Sequence, residues 1–94
     1  MQITEIRIRG LASDVKLKAY VTVTFDDCFV VHNIKIIDGK TGLFIAMPSR
    51  KTSAGTYKDV AHPISPEFRV ELQERILAEY NAGNIEIGKS DEDD

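Results

Sequence analysis

The chain has 94 residues, a length that suits a single domain, and its formal net charge is −3. Hydrophobic residues make up 43% of the sequence and charged residues 29%, a balance typical of soluble globular proteins that excludes collagen-like and mostly disordered chains. The single cysteine, Cys28, excludes an internal disulfide and a cysteine-based zinc site within this sequence.

Neither a membrane span nor a secretory signal is visible. The longest apolar run, 43–48, is far shorter than the ~20 residues that a transmembrane helix requires. The first residues alternate charged and β-branched side chains instead of forming a basic segment followed by an apolar block. We therefore expect a cytoplasmic protein that does not insert into membranes.

Charge is distributed unevenly along the chain. Residues 1–63 contain nine Lys or Arg side chains against six acidic ones, whereas residues 64–94 contain three against nine. The last four residues are all acidic and have no apolar neighbours, which is typical of a solvated tail. We predict one domain at residues 1–84, followed by an acidic, disordered tail at 85–94.

Four strand-like segments come first, and turn-forming residues separate them. Apolar and polar residues alternate in the first three segments, and the fourth is a short apolar run of the kind found in strands covered on both faces. Asp26-Asp27 and Asp38-Gly39 suit tight turns between consecutive strands. The sequence predicts a three- or four-stranded antiparallel meander, with segments at 3–9, 16–25, 28–37 and 43–47.

The second half of the chain predicts a loop and then a helix, which makes the fold class α+β. Residues 49–57 are polar, contain glycine and show no periodicity, as in a loop of about nine residues. Ser65 suits a helix N-cap, Pro66 the first helical position and Glu67 the positive end of the helix dipole. Apolar residues at four-residue spacing then give the helix one apolar face, and a glycine ends it. These residues are Phe68, Leu72, Ile76 and Tyr80, followed by Gly83.

One helix can cover only one face of such a sheet, so the sequence also predicts self-association. Simple alternation in the third segment places Phe29 and Val31 on one face and a second apolar group on the other. That second group comprises Cys28, Val30, Ile34 and Ile36. It would remain exposed unless it packed against another molecule. Because exposed apolar surface of this kind marks a protein interface, we expect a homodimer.

Three motifs follow one another along the chain. They are FVVHNIKIIDG at 29–39, GLFIAMPSRKT at 42–52 and DVAHPI at 59–64. At this spacing they closely resemble the stage V sporulation protein G (SpoVG) family, and the resemblance covers residues 1 to about 82. It implies a small, dimeric bacterial α+β protein linked to septation control during sporulation, and a regulator that binds DNA and RNA at preferred sites. The acidic tail is not a fixed feature of that family, and a member need not come from a sporulating organism.

The sequence does not predict an enzyme. If 28–37 is a strand, Cys28 and His32 lie roughly 13 Å apart along it, too far for a catalytic cysteine–histidine pair. His62 is thirty residues further on, and no phosphate-binding loop, dinucleotide fingerprint or metal-binding motif is visible. We expect no cofactor and no metal site. We expect His62 either to hold the preceding loop through a ring N–H hydrogen bond or to contact a ligand.

Two groups of residues are candidates for nucleic-acid binding. The first lies in and after the predicted loop, where basic side chains bind phosphate, hydroxyls add hydrogen bonds and a tyrosine ring stacks on an unpaired base. It comprises Arg50, Lys51, Thr52, Ser53, Tyr57 and Lys58. The second group is Arg7 and Arg9, on the outward face of the first strand. Lys16 and Lys18 share that face if the strands pair, although they are equally consistent with edge charges that discourage aggregation.

The resemblance and the basic residues together predict a homodimeric regulator that binds DNA, RNA or both, linked to septation, sporulation or the control of gene expression. The alternative is a protein-binding regulator of cell division and septum formation without direct nucleic-acid contact, with division or regulatory proteins as partners. Two basic loops that converge in one positive stripe on a dimer would favour the first function. Loops that point apart among acidic residues would favour the second.

Overall fold

Within the part of the chain that a computed structural model describes, residues 1–11 and 16–87, the fold has eight elements. They are β1 (Ile3–Gly10), β2 (Leu17–Phe25), β3 (Phe29–Gly39), β4 (Gly42–Ala46), β5 (Ser49–Lys51), β6 (Tyr57–Asp59), α1 (Pro66–Asn81) and β7 (Glu86–Ile87). The main sheet has the order β4-β3-β2-β1-β7, in which the first four strands are antiparallel and β7 runs parallel to β1. β5 and β6 form a separate two-stranded sheet. The predicted α+β class and the antiparallel meander are confirmed.

The turn between β2 and β3 depends on two adjacent aspartates. Asp26 and Asp27 both have a φ of 53°, as in a type I′ turn, and Asp tolerates this left-handed region better than most residues. The Cys28 amide donates to the Phe25 carbonyl at 3.0 Å and closes the turn. The Asp26 carboxylate accepts a hydrogen bond from the Gln2 amide at 3.0 Å, which ties the turn to the start of the chain. The predicted hairpin at this position is confirmed.

The core lies between the main sheet and one face of α1. The helix contributes Leu72 and Ile76, whose side chains are 1% and 0% exposed. The buried apolar residues are Ile3, Ile8, Ala19, Val21, Val23, Phe25, Ile34, Ile36, Ile45, Met47, Leu72 and Ile76. Phe68, Leu77 and Tyr80 pack against this cluster from the helix, so the predicted apolar face of α1 is confirmed.

The helix also reaches the edge of the sheet. The side-chain carbonyl of Gln73 accepts a hydrogen bond from the Ile45 amide of β4 at 3.0 Å. β4 is the outermost strand on its side of the sheet. A side chain of α1 therefore takes up one donor of the edge strand.

β3 contains a bulge that changes which of its residues face the core. Val21 of β2 pairs with Ile34, and Val23 pairs with Val31, so β3 has one residue more than β2 between these two pairs. Asn33, inside the bulge, has a φ of 68°. Because one extra residue reverses the alternation of a strand, positions 31 and 34 come to lie on the same face.

The faces predicted for β3 are therefore wrong. Ile34 and Ile36 are 0% exposed, and Val31 packs against the same core. Simple alternation fails here because it assumes that every residue of one strand faces one residue of the next. Of the group from which the homodimer was inferred, Cys28 and Val30 are exposed, as predicted, whereas Ile34 and Ile36 lie in the core on the side that α1 covers.

The prediction of a loop at 49–57 is also wrong at both ends of that segment, because the residues there belong to the paired strands β5 and β6. Each strand has only three residues, and most of their side chains are exposed. Strands that bury neither face need no apolar alternation, so the sequence pattern does not reveal them.

The main sheet extends past residue 84, where we predict that the domain ends. Glu86 and Ile87 pair in parallel with Arg9 and Gly10 of β1. The rest of the predicted tail, 88–94, lies outside the described residues.

Ser65 caps α1 as predicted. Its hydroxyl oxygen accepts a hydrogen bond from the Phe68 backbone amide at 3.1 Å, and its O–H donates to the Glu67 carboxylate at 3.0 Å. The carboxylate of Glu67 accepts hydrogen bonds from the Glu67 backbone amide and from the Ser65 hydroxyl, and both lower the pKa of Glu67. Since the charged form is favoured in the folded state, this stabilisation is present above the ordinary pKa of a glutamate and is lost as the pH falls through the lowered pKa.

We predict that Ser65→Ala lowers the free energy of unfolding by about 1 kcal/mol, because the Phe68 amide loses its partner at the helix start. Urea denaturation followed by circular dichroism measures the change. Ser53→Ala, at an exposed position between β5 and β6, is the control and should change stability by less than about 0.5 kcal/mol. Equal stability of the two variants would contradict the capping role.

Candidate nucleic-acid interface

The first group of predicted binding residues forms the β5–β6 hairpin. Arg50 pairs directly with Lys58, and Lys51 pairs with Tyr57. Since neighbouring residues on a strand point to opposite faces, two basic side chains share one face of the hairpin, and a basic and an aromatic side chain share the other. All four are exposed, as is Ser53 between the two strands, and Tyr57 is 70% exposed.

Backbone hydrogen bonds hold the hairpin in this register. The Thr52 amide donates to the Thr56 carbonyl at 2.7 Å, and the hydroxyl oxygens of these two threonines lie 3.0 Å apart. Gly55 has a φ of 89°, which favours glycine, and its amide donates to the Thr52 carbonyl. At the base of the hairpin the Val60 amide donates to the Pro48 carbonyl at 2.7 Å. Thr52 therefore closes the hairpin, and the basic side chains project from a paired backbone.

Like charges face each other across the hairpin. Directly opposed residues of an antiparallel pair have Cβ atoms about 5 Å apart, so the positive charges of Arg50 and Lys58 repel each other. In residues 1–11 and 16–87 neither side chain forms a salt bridge. The acidic residue of the two strands, Asp59, lies opposite Ser49 at the base. An anion between the basic side chains would relieve this repulsion.

The second predicted group, Arg7 and Arg9, lies on the main sheet and not on the hairpin. Alternation along β1 places both on the face opposite the buried Ile8. Nη2 of Arg7 lies 3.2 Å from Oε2 of Glu86 in β7, and both side chains are 59% exposed, so this salt bridge contributes little to stability. Arg9 is half-buried. The structure therefore separates the predicted residues into two groups.

Other residues of the same face connect these two groups, and the sequence pattern alone does not predict them. Arg9 pairs with Tyr20, and Tyr20 in turn pairs with Lys35 of β3. This row depends on the register after the bulge, which a single sequence does not give. One signal is present nevertheless: two polar residues separate the apolar Val31 and Ile34, where an unbroken strand would have one.

Each of the two histidines has one polar contact close by. Nδ1 of His32 lies 3.4 Å from Oγ1 of Thr22, and Nδ1 of His62 lies 3.1 Å from the carbonyl oxygen of its neighbour Pro63. The hydrogen bond of His62 is thus local and does not hold the preceding segment to the body. Among the described residues, no three His, Cys, Asp or Glu side chains converge as a metal site. No helix in this part of the chain is long and apolar enough to cross a membrane.

An apolar groove of about 580 Å³ lies beside the hairpin. Phe29, Met47 and Phe68 line it, together with Val60 and Ile64, which are 64% and 90% exposed. Exposed apolar surface is therefore present at the start of β3 and in the segment that leads to α1, whereas Ile34 and Ile36, predicted to be exposed, are buried.

Comparison with known proteins identifies the family. The SpoVG family model matches residues 1–82. This chain belongs to the SpoVG family. A relative from Caldicellulosiruptor saccharolyticus is 56% identical over 82 residues, which cover 87% of this chain and 93% of that protein. Relatives from Clostridium acetobutylicum and Clostridium novyi are 61% and 60% identical over 80 residues, which cover 85% of this chain and 84% and 80% of those proteins.

The three relatives carry the name "Putative septation protein SpoVG". The resemblance noted in the sequence is thereby confirmed. The residues that match the SpoVG model include the β5–β6 hairpin, the apolar groove and both arginines of β1. β7 and its Glu86 follow the matched region.

The like-charge pair predicts that removal of one charge stabilises the hairpin of this SpoVG-family chain. Arg50→Thr, which introduces a residue that suits strands, should slow amide hydrogen exchange at Thr52 and Val60 up to about fivefold at low salt. The difference should disappear near 1 M salt, where charges are screened within about 3 Å. Lys40→Thr, in the turn between β3 and β4, is the control. Unchanged exchange in Arg50→Thr at low salt would show that the pair does not repel.

Proposed function

We propose that this SpoVG-family chain is a non-catalytic, homodimeric regulator that binds DNA or RNA through its β5–β6 hairpin and acts in septation, as the name of its relatives suggests. The observation that carries the proposal is the register of the hairpin, in which Arg50 lies opposite Lys58. No cofactor and no catalytic step are part of this function.

The two faces of the hairpin suit different parts of a nucleic acid. Arg50 and Lys58 converge on one face, where a phosphate oxygen would neutralise both charges. Lys51 and Tyr57 on the other face combine a phosphate contact with a ring that can stack on an unpaired base. A two-stranded ribbon also fits the major groove of a duplex, which is about 12 Å wide.

The apolar groove supports the homodimer. Ile64 is 90% exposed and lies at the groove, so the same region offers both a cavity and a side chain that can fill it. Such a surface is self-complementary: about a twofold axis, Ile64 of each copy would enter the groove of the other. Two copies would also hold two basic hairpins at a fixed separation, and their weak contacts would then add within one complex.

The same groove favours a second candidate function, a protein-binding regulator of cell division that makes no contact with nucleic acid. In that case an apolar segment of a division or regulatory protein would occupy the groove in place of a second copy. The two functions differ in their dependence on the hairpin. Only the first requires its basic side chains.

We predict that Arg50→Ala/Lys51→Ala weakens nucleic-acid binding and reduces its salt dependence. Each lost phosphate contact should lower the slope of log K against log salt by about 0.9 for a duplex and 0.7 for a single strand, and a dimer can lose up to about four contacts. Fluorescence anisotropy with random-sequence DNA and RNA across a salt series measures both quantities. Stability should change by no more than about 0.5 kcal/mol per substitution, because the side chains are exposed.

Arg69→Ala/Arg75→Ala is the matched control, since it removes the same charge from exposed positions of α1. This variant should keep the affinity and the salt slope of the parent protein. If the hairpin variant also keeps both, the hairpin is not the binding site, and the protein-binding function gains support.

We also predict that the protein sediments as a dimer near micromolar concentration and that Ile64→Asp makes it a monomer. The carboxylate of the new aspartate would lose its hydration in the apolar contact between copies without gaining a polar partner, which disfavours the dimer. Because Ile64 is 90% exposed in the single chain, the variant should remain folded. Val70→Asp, at an exposed apolar position of α1, is the control and should leave the dimer intact. A monomeric parent protein would contradict the dimer, and a dimeric Ile64→Asp variant would place its interface elsewhere.

A further inference from the structure

The face of the main sheet opposite α1 carries a row of basic and aromatic side chains. Arg9 of β1, Tyr20 of β2 and Lys35 of β3 are direct cross-strand neighbours, so the ring of Tyr20 has a basic residue on each side. Next to this row Arg7 pairs with Thr22, at the position where β3 has its bulge. With strands about 4.8 Å apart, the backbone positions of Arg9 and Lys35 are separated by roughly 10 Å.

These side chains line a trough that crosses the sheet. One depression, of about 390 Å³, lies beside Glu86, and a second, of about 590 Å³, extends to Ser49. Tyr20, His32 and Asn33 line both depressions, so the two meet in the middle of the sheet. Ser49 is the first residue of β5, and the trough therefore ends at the base of the basic hairpin.

The charge of the trough suits an anionic ligand. Its lining contains three basic residues, Arg7, Arg9 and Lys35, against the single acidic residue Glu86. Glu86 is paired with Arg7, and in the described part of the chain neither Arg9 nor Lys35 forms a salt bridge. The two basic residues beside Tyr20 are thus available to phosphate groups.

The chemistry between the charges suits a nucleobase. Tyr20 is half-buried, so its ring is supported by the sheet while the trough leaves part of it accessible. The exposed side chain of Asn33, which the bulge places in the trough, can both donate and accept hydrogen bonds. Stacking on a tyrosine accepts any base, and an amide can read the edge of one.

We propose that this trough binds unpaired nucleotides of a single-stranded nucleic acid, with one base stacked on Tyr20 and backbone phosphates at Arg9 and Lys35. The inference rests on the proposed function, because the trough leads to the hairpin that would hold the same strand. A duplex cannot use the trough in this way, since its base faces are covered by stacking and only base edges are open to side chains.

The test compares one single-stranded DNA of random sequence, the RNA of the same length, and a DNA duplex as fluorescent probes. Tyr20→Val, which keeps a residue suited to a strand, should weaken binding of both single strands roughly five- to a hundredfold. It should leave duplex affinity within about twofold, and Tyr20→Phe, which keeps the ring, should bind all probes like the parent protein. Arg50→Ala/Lys51→Ala should weaken all three probes.

Two further variants test the trough without removal of the ring. Arg9→Gln/Lys35→Gln should lower the salt slope for single strands by about 1.4 for each chain that the strand contacts, the value for two lost phosphate contacts, and leave the duplex slope unchanged. Glu86→Gln removes the acid and frees Arg7, so it should raise single-strand affinity several-fold at low salt. A purely structural role for these residues would not produce an increase in affinity.

The outcomes separate this inference from the proposed function. The proposal that the trough binds unpaired nucleotides is overturned if Tyr20→Val binds single strands like the parent protein, or if it loses equal affinity for single strands and duplex. In either case, weaker binding by the hairpin variant would still support the proposed function. If the hairpin variant binds all probes like the parent, the proposed function fails instead. Should Tyr20→Val lose the circular dichroism spectrum of the parent, the Arg9→Gln/Lys35→Gln salt slope decides, and an unchanged slope overturns the inference.

Discussion

The extra residue of β3 determines which surfaces the rest of the molecule can use. With the alternation reversed at Asn33, Val31 lies on the same face as Ile34 and Ile36, so both halves of an 11-residue strand contribute to one core. In an unbroken ladder one half would turn its apolar side chains to the opposite face. The bulge therefore lets Val31, Ile34 and Ile36 pack in the one core that α1 covers, while Phe29 and Val30 at the start of the strand remain exposed. It also places Lys35 on the other face of the sheet, beside Tyr20, and the row from Arg9 to Lys35 depends on that separation.

The sequence predicts those parts of the fold whose signals are local. Alternation in β2, the adjacent aspartates before β3 and the Ser65-Pro66 start of α1 each act within a few residues, and the structure confirms all three. The bulge cannot be predicted in this way, because it reverses the order of inward and outward side chains without changing the composition of the strand. Its residue with positive φ is also an asparagine, whereas a glycine would have indicated a bulge. β5 and β6 escape because strands exposed on both faces have no apolar period.

The candidate site shows the same division. The basic and hydroxyl residues at 50–53 can be predicted from the sequence, because a polar run of this kind is exposed whether it forms a loop or a strand of a hairpin. Which residue lies opposite which is not in the sequence pattern: the pairing of Arg50 with Lys58 follows from a hairpin closed by Thr52 and Thr56. The row around Tyr20 is harder to predict, because its neighbours are known only when the registers of β1, β2 and β3 are all known.

The hydrogen bond from the Ile45 amide to the Gln73 side chain limits the ways in which copies of the chain can associate. An edge strand with free amides is a template for a strand of another molecule, and repeated addition leads to open-ended aggregates. Because Gln73 occupies a donor of β4, growth of the sheet at this edge must first break a contact between helix and sheet. At this edge, contacts between copies would thus be made by side chains, and an interface of that kind closes at a defined number of subunits when its symmetry is closed, whereas backbone addition continues as fibres.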